Sequence, residues 1–132
     1  MNQNNENVER DDDLAYQIRK ILSVWKFELM HLDTRKDIVA IKFEGQKVYD
    51  GYELYLSGHS WFDENGIWYL DKEWQPSVNY VSLGKETLNI DRLHFLKTLE
   101  EAIQYELIQL ESVFENFIVV VGLADSDYKR IK

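Results

Sequence analysis

Hydrophobic positions recur along this chain in two rhythms. Leu14, Ile18, Leu22, Trp25, Leu29 and Leu32 follow one another at steps of four and three, which is one face of a helix. Asp11, Asp12 and Asp13 stand directly before that stripe, where carboxylates complement the helix dipole and the free N–H groups of a first turn. The spacing therefore predicts a helix starting at this acidic run. Residues 1–9 are rich in Asn and Glu and read as a flexible polar tail, leaving 10–132 as a single domain.

Beyond His31 the rhythm changes to alternation. Val39, Ile41 and Phe43 share one face of a strand, with Lys42 and Glu44 on the other. Gly45-Gln46 suggests a turn into a second strand over Lys47–Ser57, in which Val48, Tyr52, Leu54 and Leu56 oppose Tyr49, Glu53 and Tyr55. Asp50 falls on the apolar side of that pattern as an exception. Gly58 ends the strand, and Asn65-Gly66 between two aromatic-rich runs predicts a hairpin, because both residues tolerate positive φ. Pro76 punctuates, and Val78–Leu83 reads as a fourth strand.

A second helix follows from Asn89 as cap and a stripe of Ile90, Leu93, Leu96, Leu99, Ile103, Leu107 and Leu110. Phe117–Val121 is rich in β-branched residues and is expected to be a fifth strand, with the end of a buried helix as the alternative. Residues 125–132 are polar and are placed at the periphery. The order of elements gives an α+β fold, an antiparallel meander of four to five strands with an N-terminal and a C-terminal helix packed on one face. A parallel sheet is disfavoured because the central strands lie too close in sequence for crossover helices.

Composition narrows the chemistry. The 132 residues include no cysteine, which removes disulfides, thiolate zinc sites and a cysteine nucleophile. The start is polar and lacks the features of a secretory signal, so the expected compartment is the cytoplasm. Net charge is -9, a balance that repels nucleic-acid phosphates and anionic membranes and suits a basic protein partner. His31, His59 and His94 are scattered, no metal-ligand spacing is present, and the six glycines stand singly, so neither a metal, a cofactor nor a phosphate cradle is expected.

One region stands apart. Tyr49 to Tyr80 holds nine of the 18 aromatic residues, and Asp50 to Trp74 holds six acids against one base, Lys72. Alternation along strands cannot bury all of those rings, so some must face outward beside carboxylates. Tyr and Trp among charges are the residue types that anchor interfaces. The candidate partner-binding residues are Tyr49, Tyr55, Trp61, Asp63, Glu64, Trp68, Asp71 and Trp74. In its shortness, acidity and lack of a catalytic signature the chain is similar in general character to small bacterial immunity or antitoxin-like proteins. The expected function is thus a non-catalytic, regulatory or antitoxin-like protein-binding module with an aromatic and acidic hairpin surface, with homodimerisation a further use for exposed rings. The alternative is a small-molecule binder or enzyme, with an aromatic-lined pocket containing His59 and nearby carboxylates such as Asp50 and Glu53.

Overall fold

A computed structural model describes residues 3–32, 37–109, 112–124 and 128–132. Helix α1 (Gln3–Met30) leads into strand β1 (Ala40–Val48), which turns back as β2 (Gly51–His59). A long loop reaches β3 (Tyr80–Ser82), then helix α2 (Arg92–Leu107), β4 (Ile118–Leu123) and β5 (Lys129–Arg130). Among the described residues the five strands form one sheet in the order β3-β2-β1-β4-β5. The class is α+β as expected, but the sheet is not a pure meander: β4 runs parallel to β1, pairing Ala40 with Ile118 and Phe43 with Val121. Close spacing excludes crossovers only between sequential strands. Here α2 lies between β3 and β4, and this lets the chain return beside the first strand in the same direction.

Alternation sets the layers. Ile41, Phe43, Tyr52, Leu54, Leu56, Val119, Val121 and Leu123 join Leu14, Ile18, Leu22, Trp25 and Leu29 of α1 and Phe95, Leu99 and Ile103 of α2 in one buried cluster. Both helices therefore cover the same face of the sheet. Across the helices, Lys26 Nζ meets the buried Glu106 Oε2 at 3.0 Å. Leu93, counted above in the α2 stripe, is instead 75% exposed. It lies two residues, about 200° around the helix, from the buried Phe95. Leu110 lies outside the described residues.

Several local expectations change. The helix starts at Gln3, so Asp11–Asp13 lie within it and not at its first turn. The turn expected at Gly45-Gln46 is absent: β1 runs through both residues, and the reversal is a two-residue loop, Tyr49-Asp50, closed by the pair Val48–Gly51. This explains Asp50, which sits in the turn and not on a strand face. Gly51 takes φ +131, and a Cβ there would collide with the Gly84 carbonyl. The Asn65-Gly66 hairpin does not form either. Asp63 Oδ1 accepts from Asn65 N at 3.0 Å and Asp63 O from Gly66 N at 3.0 Å, and a 3₁₀ turn follows at Trp68–Leu70. The Asx turn satisfies this backbone locally and leaves it out of the sheet.

Gly45 serves packing. A Cβ at this position would lie 2.6 Å from Phe95 Cε1 and 3.0 Å from Leu123 Cδ2. Phe95 cannot easily move, because its ring stacks on Tyr52 at 4.1 Å and is fully buried. Gly45→Ala should therefore lower stability by about 1–3 kcal/mol, the usual range for overpacking, read as a reduced denaturation midpoint at unchanged slope. Gly66→Ala, facing only the exposed Asp63 side chain at 3.1 Å, should change stability by less than about 0.5 kcal/mol.

Candidate functional site

The face of the sheet away from the helices carries Ala40, Lys42 and Glu44 of β1, Glu53, Tyr55, Ser57 and His59 of β2, and Ile118 and Val120 of β4. One end of it is roofed by the 60–74 loop. Trp68, only 4% exposed, packs with Ala40 and Val120, flanked by Phe62, Tyr69, Ile118 and Tyr128. Gly58 closes the loop like a clasp: its N–H donates to Trp74 O at 2.8 Å and its carbonyl accepts from Glu73 N at 2.9 Å.

The polar groups beneath this roof form two sets. Lys42 Nζ lies 3.0 Å from Glu44 Oε1, which also accepts from the Tyr128 hydroxyl at 2.5 Å. The ammonium further sits 4.8 Å from the centre of the Tyr128 ring and 5.3 Å from that of Tyr69. Burial pushes the Lys42 pKa down, against the pull of Glu44. For Glu44 burial acts upward but is outweighed by Tyr128 and Lys42, so its carboxyl stays below its ordinary value. Burial and the bond to Glu44 raise the Tyr128 hydroxyl.

The second set is centred on His59, which is fully buried. Its Nδ1 faces the Asp71 carbonyl at 2.9 Å and its Nε2 faces Ser57 Oγ at 2.8 Å. A carbonyl only accepts, so Nδ1 carries the proton and Nε2 accepts from the serine hydroxyl. Burial lowers the His59 pKa and so favours the neutral ring. Trp68 meets the imidazole edge-on at 4.7 Å. Both ring nitrogens are thus bonded, and the Nδ1 bond to Asp71 holds the loop to the sheet.

Between loop and sheet opens a groove of about 600 Å³ lined by Phe62, Glu64, Trp68, Tyr69, Tyr128 and Arg130, among others. At its rim Arg130 pairs with Glu64 at 3.2 Å and lies 5.3 Å from the Phe62 ring centre. Among the described residues no group of His, Asp and Glu could hold a metal ion, and no helix is long and apolar enough to cross a membrane.

The eight residues singled out above are only partly assembled. Trp61 donates from Nε1 to Asp71 Oδ2 at 3.0 Å, and these two share the 60–74 loop with Asp63, Glu64 and Trp68. Trp68 faces inward as the loop's anchor. Trp74 packs, half-buried, against the helix-side core. Tyr55 stacks on Tyr80 at 5.5 Å and donates to Glu53, which pushes its hydroxyl pKa up to about 12. Tyr49 is 97% exposed at the hairpin tip, a strand length of about 26 Å from the loop. Lys42, Glu44, Tyr128 and Arg130 were not among the candidates. The alternation of β1 placed the first two on the polar face, and nothing local in the sequence marks the last two. Comparison with protein-family models, with curated proteins and with solved structures finds no match for this chain.

Two measurements probe the polar sets. Glu44→Gln removes the charge that compensates a lysine side chain only 5% exposed, and should destabilise by on the order of 3 kcal/mol, whereas Lys42→Met with Glu44→Gln should recover most of that loss. His59 is held neutral when folded but protonates below about 6.5 when unfolded. The unfolded chain then binds the extra proton, so stability should fall as pH drops below 6.5 toward the folded pKa. His59→Gln should flatten that part of the profile in thermal melts at a series of pH values.

Proposed function

We propose that this chain is a protein-docking module that takes a basic segment of its partner into the aromatic groove under the 60–74 loop. The observation that carries this reading is the groove's composition: Phe62, Tyr69 and Tyr128 around the inward-packed Trp68, with the Glu64 carboxylate at the rim and the buried Lys42 and Glu44 behind it already neutralised by one another. Residues 61–74 contribute Asp63, Glu64, Asp71 and Glu73 against Lys72, a local negative field that would speed the approach of a cation. The rings already accept cations from within the chain, Arg130 near Phe62 and Lys42 near Tyr69 and Tyr128. An incoming arginine would exchange with Arg130 for the Glu64 carboxylate and the Phe62 face.

The groove's volume also falls within the range of small-molecule clefts, which keeps a small cationic ligand as a second reading. A catalytic role for His59 gains no support from a side chain that is fully buried with both nitrogens bonded.

Titration of ¹⁵N-labelled protein with an arginine-rich peptide, its glutamate counterpart and free arginine amide tests the proposal. The basic peptide is expected to shift the resonances of Phe62, Tyr69, Tyr128 and Arg130 and to bind less tightly as salt rises. Tyr69→Ala should weaken it by on the order of tenfold, as loss of an aromatic anchor commonly does. Indifference of the groove to the basic peptide, or preference for the acidic one, would overturn the reading. Arginine amide binding as tightly as the peptide would favour the small ligand.

A further inference from the structure

The two edges of the sheet are defended differently. At one edge β5 is two residues long and consists of Lys129 and Arg130, charges that discourage another strand from pairing. At the other edge lies β3, within a stretch from Gln75 to Gly84 that contains no charged residue in a chain that is 30% charged. Leu83 N donates to Tyr52 O at 2.9 Å, which sets the phase of the ladder. Val81 and Leu83 therefore direct their backbone groups toward β2, and Tyr80 and Ser82 direct theirs outward.

Helix α1 overhangs this open edge. Between them runs an apolar groove of about 390 Å³, lined in part by Ile21, Val24, Val78 and Val81. Its far wall is fixed by Trp25, whose Nε1 donates to Val78 O at 2.8 Å, and by Glu28, which accepts from Ser77 N and from the Ser77 hydroxyl. The apolar strip continues along α1, with Val24 50% and Phe27 62% exposed.

We propose that this edge is a self-association surface, on which a second copy of the chain pairs its own β3 antiparallel across a two-fold axis. Charge identifies the occupant. A basic partner would be drawn to the carboxylate-rich surfaces, and two copies each carrying -9 can approach only where that charge is absent. Around this groove the charged side chains are Lys20 and Glu28, which cancel, and Glu28 is already turned inward onto Ser77. An isologous pair sets the same segment against itself, so a charge on it would be brought close to its own copy; this segment has none. Three residues of ladder are too few to hold a dimer, and the contact of Val24 and Phe27 with their symmetry mates supplies the apolar remainder.

This surface shares no residue with the aromatic groove, so the two readings fail separately. Light scattering across a wide concentration range should give a mass twice that of the 15.8 kDa chain, and Val24→Glu with Phe27→Glu, both on exposed positions, should return it to the single-chain value. Amide exchange of the unmodified protein provides a check that does not depend on the variant folding: Tyr80 and Ser82 should become protected as concentration rises. A single-chain mass at every concentration would overturn the proposal. So would a dimer in which the Tyr80 and Ser82 amides exchange freely.

Discussion

The structure turns on the position of β1. It has a strand on either side, helices over one face and the 60–74 loop over part of the other, so none of its middle residues reaches freely into water. Alternation nevertheless obliges every second residue to face away from the helices, and the sequence places Lys42 and Glu44 there. A lysine in this place is sustainable only if its charge is met on the spot. Glu44, two residues along and on the same face, meets it at 3.0 Å, while Tyr69 and Tyr128 complete the surroundings with ring faces. The loop and the C-terminal residues are thereby tied to the middle of the sheet, and the groove between them takes its shape from that tie.

His59 performs the corresponding task at the end of the sheet. Its neutral ring bridges a β2 serine and the loop backbone at Asp71, and Trp68 closes over it. Because Trp68 is spent on this packing, the aromatic residues left to line the groove are those around it, Phe62, Tyr69 and Tyr128. That explains how a segment so rich in aromatic residues can be both a structural roof and a presented surface. One ring goes inward and its neighbours, held by it, line the groove.

Much of the fold is legible in the sequence for a simple reason. Where one face is buried and one is not, periodicity reports it, and so α1 from Leu14 to Leu29, the β1–β2 alternation and the strand nature of β4 all stand in the pattern. What periodicity lacks is register and partnership. Gly45 looks like a turn residue until Phe95 is known to press against it from α2, fifty positions away. Asn65-Gly66 has the composition of a hairpin, yet Asp63 captures the turn locally, and the flanking aromatic residues find a better place on the sheet than against each other. The parallel β1–β4 pair is likewise invisible, since it depends on where α2 delivers the chain. The polar site was the least legible part: Lys42 and Tyr128 lie 86 positions apart, and only the completed sheet brings them together.

The distribution of charge follows from the same architecture. The -9 balance is carried by loops, helix flanks and the rim of the roofed face, while the segment from Gln75 to Gly84 is neutral. If acidity served only to keep the chain dispersed, the neutral stretch would more usefully lie under cover than along an open edge. Instead it includes the three-residue edge strand β3, beneath an apolar strip of α1, whereas the two-residue strand at the other edge carries Lys129 and Arg130. Charge thus stands on the edge strand β5 and is missing from the edge strand β3, the side on which self-association is proposed. Because the two proposed surfaces lie on opposite faces and toward opposite edges of the sheet, occupation of one would leave the other open, with β1 and β2 between them.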